Sequence, residues 1–231
     1  MTLLMKHPFS AIIAGPSHCG KTYFVKRLID NVALIDPIPN KIFYCYSEWQ
    51  PLFSSFKGVQ FIRDIDELQR LLDMRQKGSS DMSRLLVIFD DLMHESSNFI
   101  EKCYTKYSHH NNMSVIFITQ NIFQKNMRTM SLNASYIFIF KNPRDIKQIS
   151  YLSRQMYPSS QSGFLEEAYK DATTQPHGYL MLDLKQNTED FLRVRSNIFP
   201  LETTVIYTPR DNRHILKDIP NYDEEQTQKT F

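Results

Sequence analysis

The feature that most constrains this chain is an eight-residue segment near its N-terminus. Residues 9–15 form an apolar run typical of a buried strand, and residues 20–34 carry apolar side chains at helical spacing. Between them, the pattern GxxxxGK[ST] is matched at every fixed position. The matching residues are Gly15, Pro16, Ser17, His18, Cys19, Gly20, Lys21 and Thr22. The sequence therefore predicts a strand, a tight turn and a helix in this order.

This segment has the chemistry of a phosphate-binding loop. Gly15 and Gly20 allow successive backbone N–H groups to face inward and hold phosphate oxygens, and the helix N-terminus adds the positive end of its dipole. We expect Lys21 to neutralise the β- and γ-phosphates and Thr22 to supply a hydroxyl to Mg²⁺. We expect Cys19 to act as a spacer through its backbone. All eight residues are thus predicted contacts of ATP.

Two aspartates end the apolar run LLVIFDD at residues 85–91. Asp90, at the carboxyl edge of a parallel sheet, is expected opposite the loop, where it would hold Mg²⁺ through its water shell. Asp91 is expected beside the γ-phosphate, where it can polarise the attacking water. Glu95, four residues later, is the alternative base. A pair of aspartates that caps the following helix is the structural alternative.

A further apolar run, SVIFITQN at residues 114–121, ends in a glutamine. Gln120 at such a strand tip can hydrogen-bond the lytic water and so sense the γ-phosphate. A plain polar strand end is the alternative. We expect this strand to be inserted between the loop strand and the acidic strand. The order of the motifs is that of P-loop ATPases that activate water with an acidic residue, and differs from that of nucleoside kinases.

The alternation of apolar strands and helices predicts an α/β fold. Because the strand runs are continuously apolar, we expect a mostly parallel central sheet that helices cover on both faces. No linker is evident before residue 200, after which the chain becomes polar. We therefore predict a P-loop ATPase domain over residues 1–200 and a polar C-terminal tail over residues 201–231.

The charge of the whole chain is nearly balanced, with 27 Lys and Arg against 25 Asp and Glu. Affinity for nucleic acid must then come from local clustering. Residues 121–160 contain six basic residues and one acidic residue. This cluster fits a phosphate-rich partner or an arginine offered to the ATP of a neighbouring subunit, and a solvated surface is the alternative. We expect Arg128 to lie in an irregular segment just before a strand.

The cysteines and the lengths of the apolar runs indicate where in the cell the protein is expected to be. Cys19, Cys45 and Cys103 are odd in number and form no CxxC pair, which is typical of a reducing environment without disulfides or a zinc site. No apolar run approaches the ~20 residues that a membrane helix needs. The N-terminus lacks the pattern of a signal peptide. We expect an intracellular protein with no membrane segment.

Six segments of the chain together form a recognisable set. They are GPSHCGKT, IFYCYSEWQPLF, LLVIFDDLMHE, YSHHNNMSVIFITQNIF, MRTMSLNASYIFIFKNPRD and SNIFP. This set resembles the genome-packaging ATPases of polinton/Maverick elements and adintoviruses, which are similar to poxvirus-type packaging ATPases within the FtsK/HerA group. The resemblance covers roughly residues 8–200, and its KNPRD and SHHNN blocks are more specific than the phosphate loop.

The resemblance implies a P-loop NTPase fold of the additional-strand, RecA/FtsK-like type. By position, Lys21 and Thr22 match the phosphate-loop roles and Asp90 matches the Mg²⁺ aspartate. Asp91 stands where the wider group often has Glu, and Gln120 matches the sensor position. The implied cofactors are ATP and Mg²⁺.

The resemblance also implies a motor that moves double-stranded DNA into a preformed capsid. Such motors are homo-oligomeric rings, here a pentamer or hexamer, with ATP bound between neighbouring subunits. Arg128 is the expected arginine finger, and Arg144 in NPRD is the second choice. Capsid or portal proteins are candidate partners, and the expected location is the site of virion assembly in the host cell or the virion itself.

Overall fold

The computed structural model describes residues 3–76, 83–108, 112–123, 127–144, 146–161, 163–209 and 228–230. The strands, in chain order, are β1 (Met5–Lys6), β2 (Ser10–Ala14), β3 (Ile35–Asp36), β4 (Lys41–Tyr46), β5 (Val59–Ile62), β6 (Leu85–Asp90), β7 (Met113–Thr119), β8 (Tyr136–Phe140), β9 (Tyr179–Asp183), β10 (Val194–Ser196), β11 (Val205–Thr208) and β12 (Gln228–Thr230). The α-helices are α1 (Lys21–Asp30), α2 (Ile65–Gln76), α3 (Met93–Lys102), α4 (Arg128–Leu132), α5 (Lys147–Met156) and α6 (Phe164–Ala172).

Ten of these strands form one sheet in the order β12-β11-β10-β9-β8-β2-β7-β6-β4-β5. The six strands from β8 to β5 are parallel to one another. The strands β9, β10 and β11 continue the sheet in antiparallel register. The short strands β1 and β3 pair separately. The carboxyl ends of β2, β7, β6 and β4 therefore meet at one edge of the sheet.

Helices and loops cover both faces of the sheet, as the continuously apolar strands predict. One face packs against α1 through Phe24, Val25 and Leu28. The other face packs against α2 to α6, with Leu68, Ile100, Met130, Ile149 and Leu165 in one core cluster. The predicted mostly parallel sheet flanked by helices is confirmed. No described helix is both long and apolar enough to cross a membrane.

The strand that follows the acidic strand in sequence is inserted into the middle of the sheet. On one side, Phe117 of β7 pairs with Ile12 of β2, and on the other, Val115 pairs with Val87 of β6. All seven side chains of β7 are buried, as its apolar and β-branched sequence requires. The expected insertion between the loop strand and the acidic strand is confirmed, and the fold is of the additional-strand type.

The sheet continues past residue 200, where the polar tail was expected to begin. Residues 205–208 form β11, which pairs with β10 through Ile206 and Arg195. The side chains of Val205, Ile206 and Tyr207 are buried. The short run VIYT has strong strand propensity, but the polar residues around it hide the signal in a composition-based reading. Of the remainder, residues 210–227 and 231 lie outside the described residues.

Two helices have features that the sequence patterns do not indicate. The helix α3 begins at Met93 and continues beyond Lys102 as a π-helical turn over Cys103–Tyr107. The segment around Arg128 was expected to be irregular, yet Arg128 is the first residue of α4. Buried Met130 fixes this short helix against the core, a tertiary contact that local propensity does not reveal.

Candidate nucleotide site

The turn between β2 and α1 depends on two glycines. Gly20 has a φ of 106°, in the left-handed region, and is the N-cap residue of α1. A Cβ on Gly15 would lie 2.7 Å from the Phe140 Cβ and 2.7 Å from the Cys19 Sγ, so no side chain fits there. None of the described side chains caps the N-terminus of α1. Its first N–H groups therefore remain available to an anion.

Lys21 brings its charge back over this turn. Its Nζ donates hydrogen bonds to the carbonyl oxygens of Gly15, at 2.7 Å, and Pro16, at 2.8 Å. These carbonyls are replaceable acceptors, because an ammonium group can rotate among several oxygens. The ammonium group and the uncapped helix end together make this turn electropositive.

Asp90 and Thr22 are linked through a tyrosine of the neighbouring strand. Tyr44 donates its hydroxyl proton to Oδ2 of Asp90 at 2.8 Å. The Thr22 hydroxyl hydrogen-bonds the same phenol, and it must be the donor because the phenol proton is already used. Burial raises the pKa of Asp90, against the opposing effects of the Tyr44 hydrogen bond and the Lys21 charge. Two hard oxygen ligands thus meet at one phenol.

This arrangement suits Mg²⁺ in combination with phosphate. Mg²⁺ usually takes one or two protein oxygens and completes its shell with phosphate oxygens and water. Thr22 and Asp90 supply two such oxygens, and Lys21 lies close enough to Asp90 to affect its pKa. Within the described residues there is no group of three or more His, Cys, Asp or Glu side chains that would hold a metal alone.

Asp91 and Gln120 contact each other directly. The Gln120 Nε2 donates to Oδ2 of Asp91 at 3.0 Å. Asp91 has a φ of 55°, and its backbone N–H donates to the carbonyl oxygen of Ile118 at 3.2 Å. The left-handed backbone turns the carboxylate at the end of β6 towards the end of β7. The two residues predicted to handle the attacking water therefore form one hydrogen-bonded pair.

These groups line a single open cleft of about 700 Å³. From the strand ends, Asp90, Asp91 and Gln120 line it. From the loop and the start of α1, the residues that line it are Ser17, His18, Gly20, Lys21, Thr22 and Tyr23. Gly15, Pro16 and Cys19 belong to the same turn and do not face the cleft. Ser17, His18, Gly20, Lys21, Thr22, Asp90, Asp91 and Gln120 were all predicted site residues, and the fold brings these eight together.

The predicted arginines lie apart from the cleft. Arg128 is exposed at the start of α4. Just beyond the end of that helix, the carbonyl oxygen of Asn133 accepts a hydrogen bond from the Ser10 hydroxyl at 2.6 Å, at the amino end of β2. The helix α4 thus ends at the sheet edge opposite the phosphate loop. Arg144 is exposed and follows β8, and its backbone N–H donates to Oδ1 of Asn142 at 3.1 Å. Since β8 is parallel to β2, Arg144 leaves the sheet at the same edge as the loop.

The alternative base Glu95 belongs to α3, but its side chain lies outside the described residues. Its place relative to the cleft is therefore a prediction from sequence only.

A second cleft of about 520 Å³ lies on the other side of the phosphate loop. Gly20 and Tyr23 line both clefts. His177 closes the second cleft against the loop, and its Nδ1 donates to the carbonyl oxygen of Cys19 at 3.0 Å. A triphosphate held in the loop would have room for its nucleoside on this side.

Several site residues were not found from the sequence. Neither Tyr44, which donates to Asp90, nor Glu48, which lines the first cleft, had a predicted role. Tyr23 and His177 were also missed. The signal for Tyr44 and Glu48 is their position at the end of an apolar strand, but only the sheet order shows that this strand neighbours β6.

No protein-family model matches this sequence, and no curated protein matches it. Solved structures do match the fold. The genome-packaging NTPase B204 from Sulfolobus turreted icosahedral virus 2, in complex with sulfate, has a TM-score of 0.57 at 15% identity, covering 84% of this chain and 98% of that chain. The same protein with ATP-γS gives a TM-score of 0.55 at 16% identity, covering 82% and 96%.

The DNA-packaging ATPase B204 from Sulfolobus turreted icosahedral virus gives a TM-score of 0.56 at 16% identity, covering 83% of this chain and 98% of that chain. The fold of this chain is therefore similar to that of these viral NTPases over nearly their whole length.

Proposed function

We propose that this chain is a Mg²⁺-dependent ATP hydrolase that moves double-stranded DNA, acting as the packaging motor of a viral or virus-like genome. One observation carries the proposal: the loop residues Lys21 and Thr22, the strand-end residue Asp90 and the Gln120–Asp91 pair line one cleft. The likeness of the fold to packaging NTPases, some of them bound to nucleotide, supports it. An ATPase of polinton type is the finer form of the proposal.

The chemistry follows from the residues in the cleft. The triphosphate binds across the turn between β2 and α1, and Lys21 moves from its backbone acceptors to the β- and γ-phosphates. Thr22 and Asp90 would hold Mg²⁺, which neutralises charge on the γ-phosphate. Water adds to the γ-phosphorus, the bond to the bridging oxygen breaks, and ADP leaves with the electron pair. The proton of the water passes to a carboxylate of the cleft.

A ring of subunits would couple this chemistry to movement. Because Arg128 does not line the cleft of its own subunit, it would act on the nucleotide of a neighbouring subunit. An arginine in that role is worth ~10³–10⁵ in rate. Arg144, at the same edge as the loop, is the second choice for this role. The ring size, pentamer or hexamer, and docking to capsid or portal proteins belong to the same proposal.

The test is the rate of ATP hydrolysis with and without duplex DNA. A motor should be stimulated by DNA, and the stimulation should fade between about 50 and 200 mM salt because phosphate contacts release counterions. Lys21→Ala should abolish hydrolysis with and without DNA. Arg128→Ala should bind nucleotide but not turn it over, and activity should return when it is mixed with Lys21→Ala. Slow hydrolysis that ignores DNA would favour instead a nucleotide-dependent switch that binds a partner without moving DNA.

A further inference from the structure

The cleft contains an acidic side chain that has no role so far. Glu48 lies two residues beyond the end of β4 and lines the same cleft as Lys21 and Asp90. Its carboxylate is exposed and forms no hydrogen bond or ion pair with any residue that the structure describes. A carboxylate without hydrogen bonds is unexpected in a cleft that would bind phosphate, because its negative charge repels the phosphate. Such a group is therefore a candidate for a role in the reaction.

The register of the sheet places Glu48 next to the two aspartates, on the side of the cleft farthest from the loop strand. Tyr46 of β4 is directly opposite Asp90 of β6, and Asp90 is opposite Ile118 of β7. Going along the carboxyl edge from the phosphate loop, one therefore meets Gln120, then the two aspartates, then Glu48. Glu48 therefore lies on the wall of the cleft opposite the phosphate loop, beyond Gln120 and the two aspartates.

The three carboxylates of the cleft, those of Asp90, Asp91 and Glu48, differ in how the backbone brings them there. In β4, Tyr44 packs on the face that α1 covers, and Ile88 in β6 does the same. A period of two carries Asp90 to that face. Glu48 follows β4 in a bend, and it lines the same cleft as Asp90. Asp91 follows Phe89, whose side chain packs on the opposite face. Asp91 reaches the cleft only through its left-handed backbone.

The hydrogen bonds also distinguish Glu48 from the two aspartates. Asp90 accepts from Tyr44, and Asp91 accepts from the Gln120 amide. Each of these carboxylates has one oxygen held by a hydrogen-bond partner. Glu48 has no such bond to a described residue, and its extra methylene gives it more reach than an aspartate. Both of its oxygens therefore have free lone pairs that can accept a proton from water.

The segment that carries Glu48 is held by aromatic packing. The Trp49 ring lies 5.6 Å from the ring of Tyr46, 5.4 Å from that of Phe53 and 5.3 Å from that of Phe61. These contacts lie on both sides of Glu48 in the chain. They hold the backbone on either side of Glu48, while its carboxylate stays in solvent.

We propose that Glu48 is the general base that takes the proton of the attacking water, with Gln120 and Asp91 orienting that water. The inference rests on the proposed ATP hydrolysis and names a residue for its proton transfer. As the water oxygen bonds to the γ-phosphorus and the bond to ADP breaks, one proton moves from the water to a carboxylate oxygen of Glu48. It is later released to solvent, so the residue returns to its starting state.

The experiment compares four variants of the full chain: Glu48→Gln, Glu48→Ala, Asp91→Asn and the control Glu67→Gln. Glu67 is an exposed acid in the first turn of α2 and does not line the cleft. Circular dichroism and thermal melting check the fold of each variant. The measured quantities are kcat for ATP and the Kd of a fluorescent ATP analogue with Mg²⁺.

For Glu48→Gln we expect a loss of about 100-fold in kcat, within the range of general-base removal, with an unchanged Kd. The loss in Asp91→Asn should be smaller, and Glu67→Gln should match the wild type. Formate should restore part of the rate of Glu48→Ala, because a small carboxylate can occupy the space left by the side chain.

Three outcomes would overturn the assignment while leaving the ATPase itself intact. They are a loss in Glu48→Gln of less than about tenfold, a larger loss in Asp91→Asn, and a loss that comes from weakened nucleotide binding. A wild-type protein without any Lys21-dependent hydrolysis would instead contradict the proposed function, and with it this inference.

Discussion

At the scale of single residues, the candidate site contains a buried tyrosine beside two of its expected metal ligands. Tyr44 is buried in β4, and its phenol joins the hydroxyl of Thr22 to the carboxylate of Asp90. Burial raises the pKa of Tyr44 far above its usual value, so the phenol keeps its proton and stays a donor to Asp90. It orients two expected Mg²⁺ ligands in the way that outer-shell partners do in metal sites.

Tyr44→Phe should separate this role from the packing of the ring. The ring is retained, but Asp90 and Thr22 lose their common partner. We expect the Mg²⁺ concentration for half-maximal hydrolysis to rise by about 10-fold or more. We also expect stability to fall by about 1–2 kcal/mol, because a buried hydrogen-bonded carboxylate loses its donor.

The matched control is Tyr46→Phe, two residues along the same strand. The Tyr46 ring packs against Trp49 and Phe53, and its hydroxyl forms no hydrogen bond with a described residue. Titration of ATPase rate against Mg²⁺ and urea denaturation are the two measurements. An unchanged Mg²⁺ requirement in Tyr44→Phe would contradict an orienting role.

At the scale of elements, β7 pairs with both the loop strand β2 and the acidic strand β6. It also contacts the N-terminal segment through His7. His7, between β1 and β2, lies against the start of β7. Its Nδ1 lies 2.6 Å from the Ser114 hydroxyl, and its Nε2 lies 3.0 Å from the Asn112 side-chain oxygen. Burial lowers the pKa of His7, in opposition to the hydrogen bonds with Asn112. The folded chain therefore favours the neutral imidazole.

The stability of the protein should accordingly depend on pH through His7. Below the unfolded value of about 6.5, the unfolded chain binds a proton that the folded chain still resists. Stability should then decline as pH falls from about 6.5 through the lower folded pKa of His7. His7→Gln, which cannot take up this proton, should lose less stability between pH 7 and pH 5.

Urea denaturation at several pH values would measure this difference. Parallel pH profiles for the wild type and His7→Gln would contradict the assignment. Any pH dependence of the unfolding free energy that remains in His7→Gln comes from the other titrating groups. The contribution of His7 is therefore the difference between the two pH profiles.

At the scale of the whole molecule, the C-terminal strands complete the sheet beside the candidate nucleotide site. Asp183 of β9 and Arg195 of β10 form a buried ion pair at 2.8 Å. Tyr207 of β11 donates its hydroxyl proton to Oδ2 of Asp171, just before the end of α6. The antiparallel strands thus tie β8 and α6 together next to the loop.

A chain cut after residue 200 should therefore be much less stable than one cut after residue 209. The shorter chain loses β11 and exposes the surfaces that bury Val205, Ile206 and Tyr207. Each such side chain contributes about 1.5–3 kcal/mol when fully buried, so the total is several kcal/mol. Thermal melting of the two truncated chains is the measurement. Equal melting temperatures would show that residues 201–209 are dispensable, as a polar tail would be.

Much of the site was predictable because its strongest signals are local. The turn at residues 15–22 needs glycine at position 20, where φ is positive, and at position 15, where Phe140 approaches. Both glycines belong to one short motif that the sequence shows directly. The apolar strands that end in Asp90 and Gln120 predict their own burial and their carboxyl-edge tips. The fold class, the inserted strand and the meeting of these residues follow from motif order and strand-pairing rules.

The remaining features required the tertiary structure, because they depend on which strands become neighbours. Tyr44 and Glu48 gain their places only because β4 pairs with β6, far away in sequence. The helix at Arg128 and the strand at residues 205–208 form because distant packing favours them over weak or hidden local signals. The sequence by itself determined the glycine-containing turn at residues 15–22 and the two aspartates at the end of β6. The order of the sheet decided which other side chains share their cleft.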